Sequence, residues 1–436
     1  MAQKKNGCRF ICSTKRIAFI AALLASQCSW SQLSESYLLS SSGGCVNVRP
    51  QPETSSTPTA CLPTGTAVTV VSVIPFWREI TFGNNQRGWT AKKFLQPAAT
   101  PASPDATLAS IPPNAFLEVH FVDVGQGDAI WIQTHDDGID GNGKFEGYSI
   151  VIDGGPYSSD ATNPLRPYIE THAHHGASIE ALIVTHPHTD HFSGAETIAR
   201  HFDVQHYYDP GFPSTLVSYK AFIDTLRGTG GLAPKARHIH LGEFSGMNWG
   251  SELDVKVLYA YPGNNTGLGS GNTLVNNSSI VLRIQYGQHV FLLMGDAEGK
   301  DRDDPPTTPR YVEAKLLQEQ RPMLKANVLK IAHHGSETSG TLPFIEAVDP
   351  DIVIVESGRK VFNGAFLPDR TTLQRYCNHK PTTRIYRTDQ NDEQEGLGES
   401  QAADDDNVVI RSNGAGSIEV KAFEGGQPFT SARCTP

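Results

Sequence analysis

The sequence predicts an α/β (α+β) chain, a layered αββα sandwich preceded by a small all-β module. Three observations carry this. Between residues 115 and 365, short apolar runs alternate with helical patterns, and several of the runs end in Asp, His or Gly. Between 44 and 97, short alternating segments are punctuated by Gly and Pro turns. At His186-Pro187-His188-Thr189-Asp190-His191, three imidazoles and a carboxylate follow the apolar run Ala181-Leu182-Ile183-Val184 and precede a helical pattern read as starting at Ser193. Four ligand-type side chains on one strand-to-helix turn are a dense signal for a metal site.

The chain has 436 residues, enough for two or three domains, and a net charge of −10. That charge argues against a stable nucleic-acid complex, though not against a phosphodiester substrate, because bound dications would invert the local field. Residues 1–31 read as a secretory signal: Lys4, Lys5, Arg9, Lys15 and Arg16 precede an apolar run at 17–25 that is too short to span a bilayer. Cleavage is expected between Ser26 and Gln32. A lipoprotein reading at Cys28 is the weaker alternative, with Gln27 before it. No later stretch is long and apolar enough for a transmembrane helix, so the mature chain is expected to be exported to the periplasm, cell surface or medium. Of seven cysteines, Cys45, Cys61, Cys377 and Cys434 lie outside the signal region. Their even count suggests disulfides, and their order favours Cys45–Cys61 and Cys377–Cys434, with other pairings open.

Val46-Asn47-Val48-Arg49-Pro50 opens the module at 44–97, an alternating strand is read at 64–71, another begins at Trp77, and Gly88-Trp89 leads into its close. The Asn-Val-Arg opening and Gly-Trp close resemble the bacterial SH3-like domain, which implies a barrel that binds a cell-wall ligand. A plain spacer with Trp77 and Trp89 in its core is an equal reading. Residues 98–113, rich in Ala, Pro, Ser and Thr, read as a semi-stiff linker.

The larger domain, placed at 114–365, opens with a strand at 115–122, then Asp123, Gln126 and Asp128 on a Gly-rich turn, then a strand at 129–133. Residues 135–146 carry Asp136, Asp137, Asp140, Asn142 and Glu146 among glycines. This loop could cradle calcium, but it lacks EF-hand spacing, and a solvated hairpin tip is the favoured reading. Val151-Ile152 leads to Asp153-Gly154-Gly155, a helix is read at 164–172, and the histidine motif follows. Further on, a buried strand ends at Asp296, and another, at 328–332, ends at His333-His334. Residues 366–436 are expected to pack on this domain as an extension, with an acidic loop at 389–406 and a closing strand pair at 407–411 and 417–422.

In an extended segment, residues two apart face the same way, so His186 and His188 can grip one ion while Asp190 and His191, past the bend, face a second. The motif resembles the His-x-His-x-Asp-His signature of the metallo-β-lactamase superfamily. Phe121-Val122-Asp123-Val124-Gly125-Gln126-Gly127-Asp128, Val151-Ile152-Asp153-Gly154-Gly155, Leu292-Leu293-Met294-Gly295-Asp296 and Val328-Leu329-Lys330-Ile331-Ala332-His333-His334-Gly335-Ser336 narrow the resemblance to stand-alone relatives of the ComEC hydrolase domain.

The resemblance implies two divalent ions, zinc first and manganese as the alternative, held by His186, His188, Asp190, His191, Asp296 and one of His333 and His334. Asp296 would bridge them, and the other histidine would meet substrate or donate a proton. Asp123, Asp128 and Asp153 would support the ligands from behind. Ser336, Thr338 and Ser339 are candidates for hydrogen bonds to substrate. The superfamily's third histidine for the first ion is absent here; Asn276 stands at its position, with Asp209 as the other candidate. The family's Asn-x-x-Gly-His-Pro segment is replaced by Asn363-Gly364-Ala365-Phe366-Leu367-Pro368. His201, His206, His238, His240 and His289 read as surface or packing residues. The implied function is exported, metal-dependent hydrolysis of a phosphodiester or another anionic substrate by a hydroxide held between the ions, with Asp190, His333 and His334 at the chemistry. A lactam or ester hydrolase of the same fold and a non-catalytic envelope-binding protein are the alternatives.

Overall fold

In a computed structural model, the described residues run from 36 to 97 and from 111 to 433, less several short stretches, the longest being 227–236 and 391–404. The signal, most of the linker, most of the acidic loop, Asp140, Asn363, Gly364 and Cys434 lie outside them.

Two mixed sheets stack face to face. The first has the order Arg237–His240, Asp203–Asp209, Ser178–Ile183, Ser149–Ile152, Ile130–Thr134, Leu117–Phe121, Val408–Ser412, Glu419–Glu424 and Gln427–Phe429. The second has the order Gly246–Met247, Leu253–Tyr259, Val281–Tyr286, His289–Leu293, Val328–Lys330, Ile352–Val355, Arg384–Arg387 and Ala432–Arg433. Alternation assigns the faces. Ile130 and Ile132 enter the central core with Leu282, Ile284 and Phe291 of the facing sheet. Trp131 turns outward against the helices Leu165–His172 and Thr189–His201. On the far side, Leu292, Leu329 and Val353 pack on the helices Tyr311–Glu319, Leu342–Val348 and Arg370–His379. The result is the expected four-layer αββα sandwich.

Residues 366–433 do not lie on this sandwich from outside. Arg384–Arg387 pairs in parallel with Ile352–Val355, and Val408–Ser412 pairs antiparallel with Leu117–Phe121. The C-terminal segment therefore supplies strands to both sheets. The expected closing pair is present as Val408–Ser412 with Glu419–Glu424.

The N-terminal segment forms a small antiparallel sheet in the order Gln86–Ala91, Trp77–Phe82, Ala67–Ile74, Ser36–Leu39, Leu95–Pro97, beside the hairpin of Cys45–Val48 and Ala60–Pro63. Cys45 and Cys61 are bonded, which locks that hairpin. Cys377 is also disulfide-bonded. The module's core is Leu39, Val46, Val48, Val68, Ile80 and Phe82; Trp77 and Trp89 are only half-buried and stand outside it. The spacer reading that put both tryptophans in the core is thus corrected.

Candidate metal centre

The site lies where the strands of both sheets end. Its helix begins at Thr189 with His188 at the cap, four residues before the expected start at Ser193. Asp190 and His191 therefore sit in the first helical turn, which swings them away from His186 and His188. Gly154 and Gly194 make this turn possible. A Cβ on Gly194 would overlap the carbonyl oxygen of Gly154, and one on Gly154 would overlap the backbone of Ala195. With neither present, the Gly154 N–H donates to the His191 carbonyl at 2.7 Å, and Asp153 is carried up to the His191 ring.

Asp153 Oδ2 lies 2.7 Å from His191 Nδ1 and accepts from the Thr185 hydroxyl at 2.6 Å, while Asp153 Oδ1 accepts from the Thr185 N–H at 2.7 Å. A carboxylate only accepts, so His191 Nδ1 carries the proton and Nε2 keeps its lone pair. Thr185 Oγ1, having given its proton to Asp153, accepts from His186 Nδ1 at 3.1 Å, which leaves His186 Nε2 free as well. His334 Nδ1 donates to the Glu356 carbonyl at 2.8 Å, with the same consequence for His334 Nε2. Three imidazoles are thus set with the same nitrogen bare.

Those nitrogens converge on Asp296, which follows the strand His289–Leu293 and whose N–H is held by Ser279 Oγ at 3.0 Å. Asp296 Oδ2 lies 3.7 Å from His186 Nε2, 3.3 Å from His191 Nε2 and 3.5 Å from His334 Nε2. Asp190 Oδ2 is 3.6 Å from His334 Nε2. His186 Nε2 and His188 Nδ1 face each other at 3.0 Å. Two groups that could hold an ion result, one with His186 and His188 and one with His191 and His334, and Asp296 belongs to both.

Asp128 also lies among these side chains, but behind the rings. Its carboxylate is 3.2 Å from His334 Nδ1 and 3.8 Å from His191 Nδ1, the edges turned away from Asp296, and it pairs with the ammonium of the buried Lys330. It braces the imidazoles, whereas Asp190 approaches the bare nitrogen. Asp123 stands apart from the cluster: its side chain accepts from the Gly125 N–H at 2.9 Å, and its backbone N–H donates to Asn407 Oδ1 at 2.9 Å.

Electrostatics agree with a cation site. Burial works against charge on His191, but Asp296, Asp153 and Asp128 outweigh it and hold its pKa well above the usual imidazole value. His334 is likewise pushed up to about 10, by Asp296 and Asp128 against burial. Asp296 is held well below the usual carboxylate range despite burial, chiefly by His334 and His191. His186 is depressed by burial and by its neighbour His191.

Atoms without hydrogen-bond partners test whether an ion fits. Among the described buried atoms in that state are His191 Nε2, His334 Nε2, Asp296 Oδ1 and Asn276 Oδ1. Unsatisfied buried lone pairs are costly, and those of His191, His334 and Asp296 lie together and are of ligand type. The donor set fits divalent metal.

Other expected residues fall as follows. Both His333 and His334 have φ of 51°, so the backbone turns at this pair and separates the rings. His333 leaves the cluster for Thr338 Oγ1 at 2.9 Å and Glu298 Oε1 at 3.2 Å. Asn276 Nδ2 donates to Glu298 Oε1 at 2.8 Å and is 3.3 Å from His333 Nε2. Asp209 is buried, accepts from the Gly211 N–H, and is not part of either group. The Ser339 hydroxyl donates to the Ala332 carbonyl, and Ser336 accepts from Thr338, so this loop is braced internally. His289 bonds Ser412 and Gly416 as a packing residue. Glu298, Glu356, Thr185 and Lys330 were missed. A lysine inside the apolar strand Val328–Lys330 was the one available signal.

The chain carries a metallo-β-lactamase superfamily domain: residues 144–355 match that family. It is 27% identical over 290 residues to ComE operon protein 3 of Bacillus subtilis, covering 63% of this chain and 32% of the relative. It is 26% identical over 265 residues to Recombination protein 2 of Haemophilus influenzae, covering 60% of this chain and 27% of the relative. The chain thus spans about a third or less of these curated relatives. Similar solved structures include Igni18, a metallo hydrolase from Ignicoccus hospitalis (13% identity, TM-score 0.35, 62% of this chain and 95% of that one). Another is Zn(2+)-bound PqqB from Methylobacterium extorquens (11% identity, TM-score 0.34, 63% of this chain and 97% of that one).

Proposed function

We propose that this protein is an exported hydrolase that cleaves phosphodiesters with two divalent ions, zinc before manganese. The observation that carries the reading is the sharing of Asp296 between two ligand groups. His186, His188 and Asp296 would hold one ion, with the unpartnered Asn276 carbonyl oxygen as a candidate weaker donor. Asp190, His191, His334 and Asp296 would hold the other. Ions bound there supply Lewis acidity and an activated water at neutral pH.

The chain's own groups do the rest. Asp153, Thr185 and the Glu356 carbonyl fix the ring tautomers, so each imidazole presents a lone pair without rearranging. The helix Thr189–His201 directs the positive end of its dipole into the site, which favours an anionic substrate. His333, partly exposed and held by Glu298 and Thr338, would meet the substrate. The name of one relative, Recombination protein 2, favours a nucleic-acid phosphodiester, and a wall-linked phosphodiester is the other member of the class. The segment 44–97 would serve as a targeting module for a cell-wall ligand. Among the described residues, no helix is long and apolar enough to cross a membrane.

The test is metal content of the purified mature protein with hydrolysis of bis-p-nitrophenyl phosphate in added zinc or manganese. About two ions per chain with turnover is expected. No bound metal and no turnover with either ion would overturn the reading.

A further inference from the structure

We propose that Arg375, on the helix Arg370–His379, is a positioning residue for His333 and acts through the loop at 336–340. The proposal rests on the reading of His333 as the ring that meets the substrate, and it names what keeps that ring in place. His333 is partly exposed, and its ring is met by Thr338, Glu298 and Asn276. The Thr338 hydroxyl gives its own proton to Ser336 Oγ at 3.1 Å, so it accepts from His333 Nδ1 at 2.9 Å. That bond leaves His333 Nε2 with its lone pair.

Thr338 is itself fixed by its surroundings. Its carbonyl accepts from the N–H groups of Gly299 and Lys300 at 2.8 and 3.0 Å, which joins the loop to the segment that carries Glu298. The Arg375 guanidinium holds the residues around it. Nη1 donates to the two oxygens of Glu337 at 2.8 and 2.9 Å, Nη2 to the Ser339 carbonyl at 2.7 Å, and Nε to the Gly340 carbonyl at 2.8 Å. Glu337 also meets the Lys300 ammonium at 3.3 Å and the Thr371 hydroxyl, and its N–H donates to Asp369 Oδ2 at 2.7 Å. Burial works against charge on Glu337, but Thr371, Arg375 and Lys300 outweigh it and hold its pKa below the usual carboxylate value.

A guanidinium is a rigid planar fork, so its bonds to Glu337, Ser339 and Gly340 are all made in one arrangement of the loop. Lys300 and Arg375 are both buried, and buried ion pairs are weak evidence of stability. What this one supplies is a single geometry, and with it a single position for the Thr338 hydroxyl between the held residues. A shift of about 1 Å there would free the His333 ring to turn, and misplacement of that size can cost about a hundredfold in rate. The C-terminal helix thus touches neither ion ligands nor substrate, yet fixes a group that meets the substrate.

The test uses the full mature chain loaded with zinc and compares Arg375→Lys, Glu337→Gln and Thr338→Val with the wild type. Arg375→Lys keeps the charge and loses the fork. Each variant should retain its zinc and lose about ten- to a hundredfold in kcat on bis-p-nitrophenyl phosphate, with KM little changed. Arg375→Lys added to Thr338→Val should cost nothing more, because both act through the same hydroxyl. Losses that multiply in the double variant would overturn the proposal, as would full kcat in both Arg375→Lys and Glu337→Gln. Loss of zinc from these variants would overturn it too, since the loop would then be supporting the ion ligands. A readout that needs no turnover is nitrogen–proton NMR of the imidazoles, with His333 identified by the signal missing from His333→Ala. The wild type should show His333 fixed with its proton on Nδ1, and the variants should show it averaging between tautomers while His334 is unmoved. Such loosening in a protein without turnover would uphold the clamp and sink the phosphodiesterase reading. A ring that keeps its tautomer in Arg375→Lys and Glu337→Gln would overturn the clamp whatever the turnover.

Discussion

His333 and His334 are neighbours in sequence whose rings serve different groups. His334 Nε2 stands 3.5 Å from Asp296 Oδ2, while His333 Nδ1 stands 3.2 Å from Glu298 Oε1. Two successive residues at φ of 51° make this division. In a continuing strand the rings would simply alternate faces.

The division predicts different phenotypes. His334→Ala should lose about one of the two ions, as expected for an imidazole ligand. His333→Ala should keep both and lose turnover. Metal analysis of the two purified variants, beside their kcat and KM, checks this. Loss of metal from His333→Ala with retention by His334→Ala would reverse the assignment.

Asp296→Ala removes the one carboxylate common to both groups. The variant should fold, bind little metal, and lose at least about a hundredfold in kcat/KM. Its far-ultraviolet circular dichroism should match the wild type. Unchanged turnover would refute a two-ion mechanism.

Ion uptake should depend steeply on pH. Without metal, Asp296 and Asp128 push His334 up to about 10, and Asp296, Asp153 and Asp128 hold His191 well above its usual value, so a proton competes with the ion for the Nε2 lone pair of each. Both belong to the same group, and each must lose its proton to bind. Affinity should therefore strengthen with rising pH by up to about a hundredfold per unit, two protons being released. Calorimetry at pH 6 to 8, in buffers of different ionisation enthalpy, counts the protons directly.

Lys330→Met should be costly. The ammonium is buried against Asp128, and Asp128 would be left without its fixed cation. Breaking one half of a buried pair typically costs about 3–5 kcal/mol. The nearby His191 and His334 soften the loss when protonated, so about 3 kcal/mol is expected by denaturant titration. Asp128→Asn added to Lys330→Met should recover part of it. A single variant as stable as the wild type would show that the pair contributes nothing.

How legible all this was depends on distance along the chain. The ligands at 186–191 were plain because ligand-type residues crowd one turn after a buried strand. Asp153 was readable through the glycines beside it, whose packing role the structure makes concrete. The start of the helix was placed at Ser193, four residues late, because no Ser, Thr, Asp or Asn stands at its N-cap; His188 occupies that position without a capping side-chain hydrogen bond. Glu298 and Glu356 were invisible for a different reason. What defines each is a partner far away in sequence: Asn276 for the Glu298 carboxylate, and the Ala129 N–H for the Glu356 carboxylate, whose backbone carbonyl also meets His334. No local pattern encodes such pairs. The C-terminal strands were seen as strands, but nothing near them in sequence says which sheet receives them.

The pairing of Val408–Ser412 with Leu117–Phe121 has a consequence for the life history of the chain. During synthesis, the strand beside Asp123 waits for a partner made almost three hundred residues later. Until that partner leaves the ribosome, the first sheet has an open edge and the domain cannot close. Closure over so long a loop is slow, so the polypeptide stays open through most of its synthesis. Metal capture would then follow completion of the chain, once the last strands have closed the sheets.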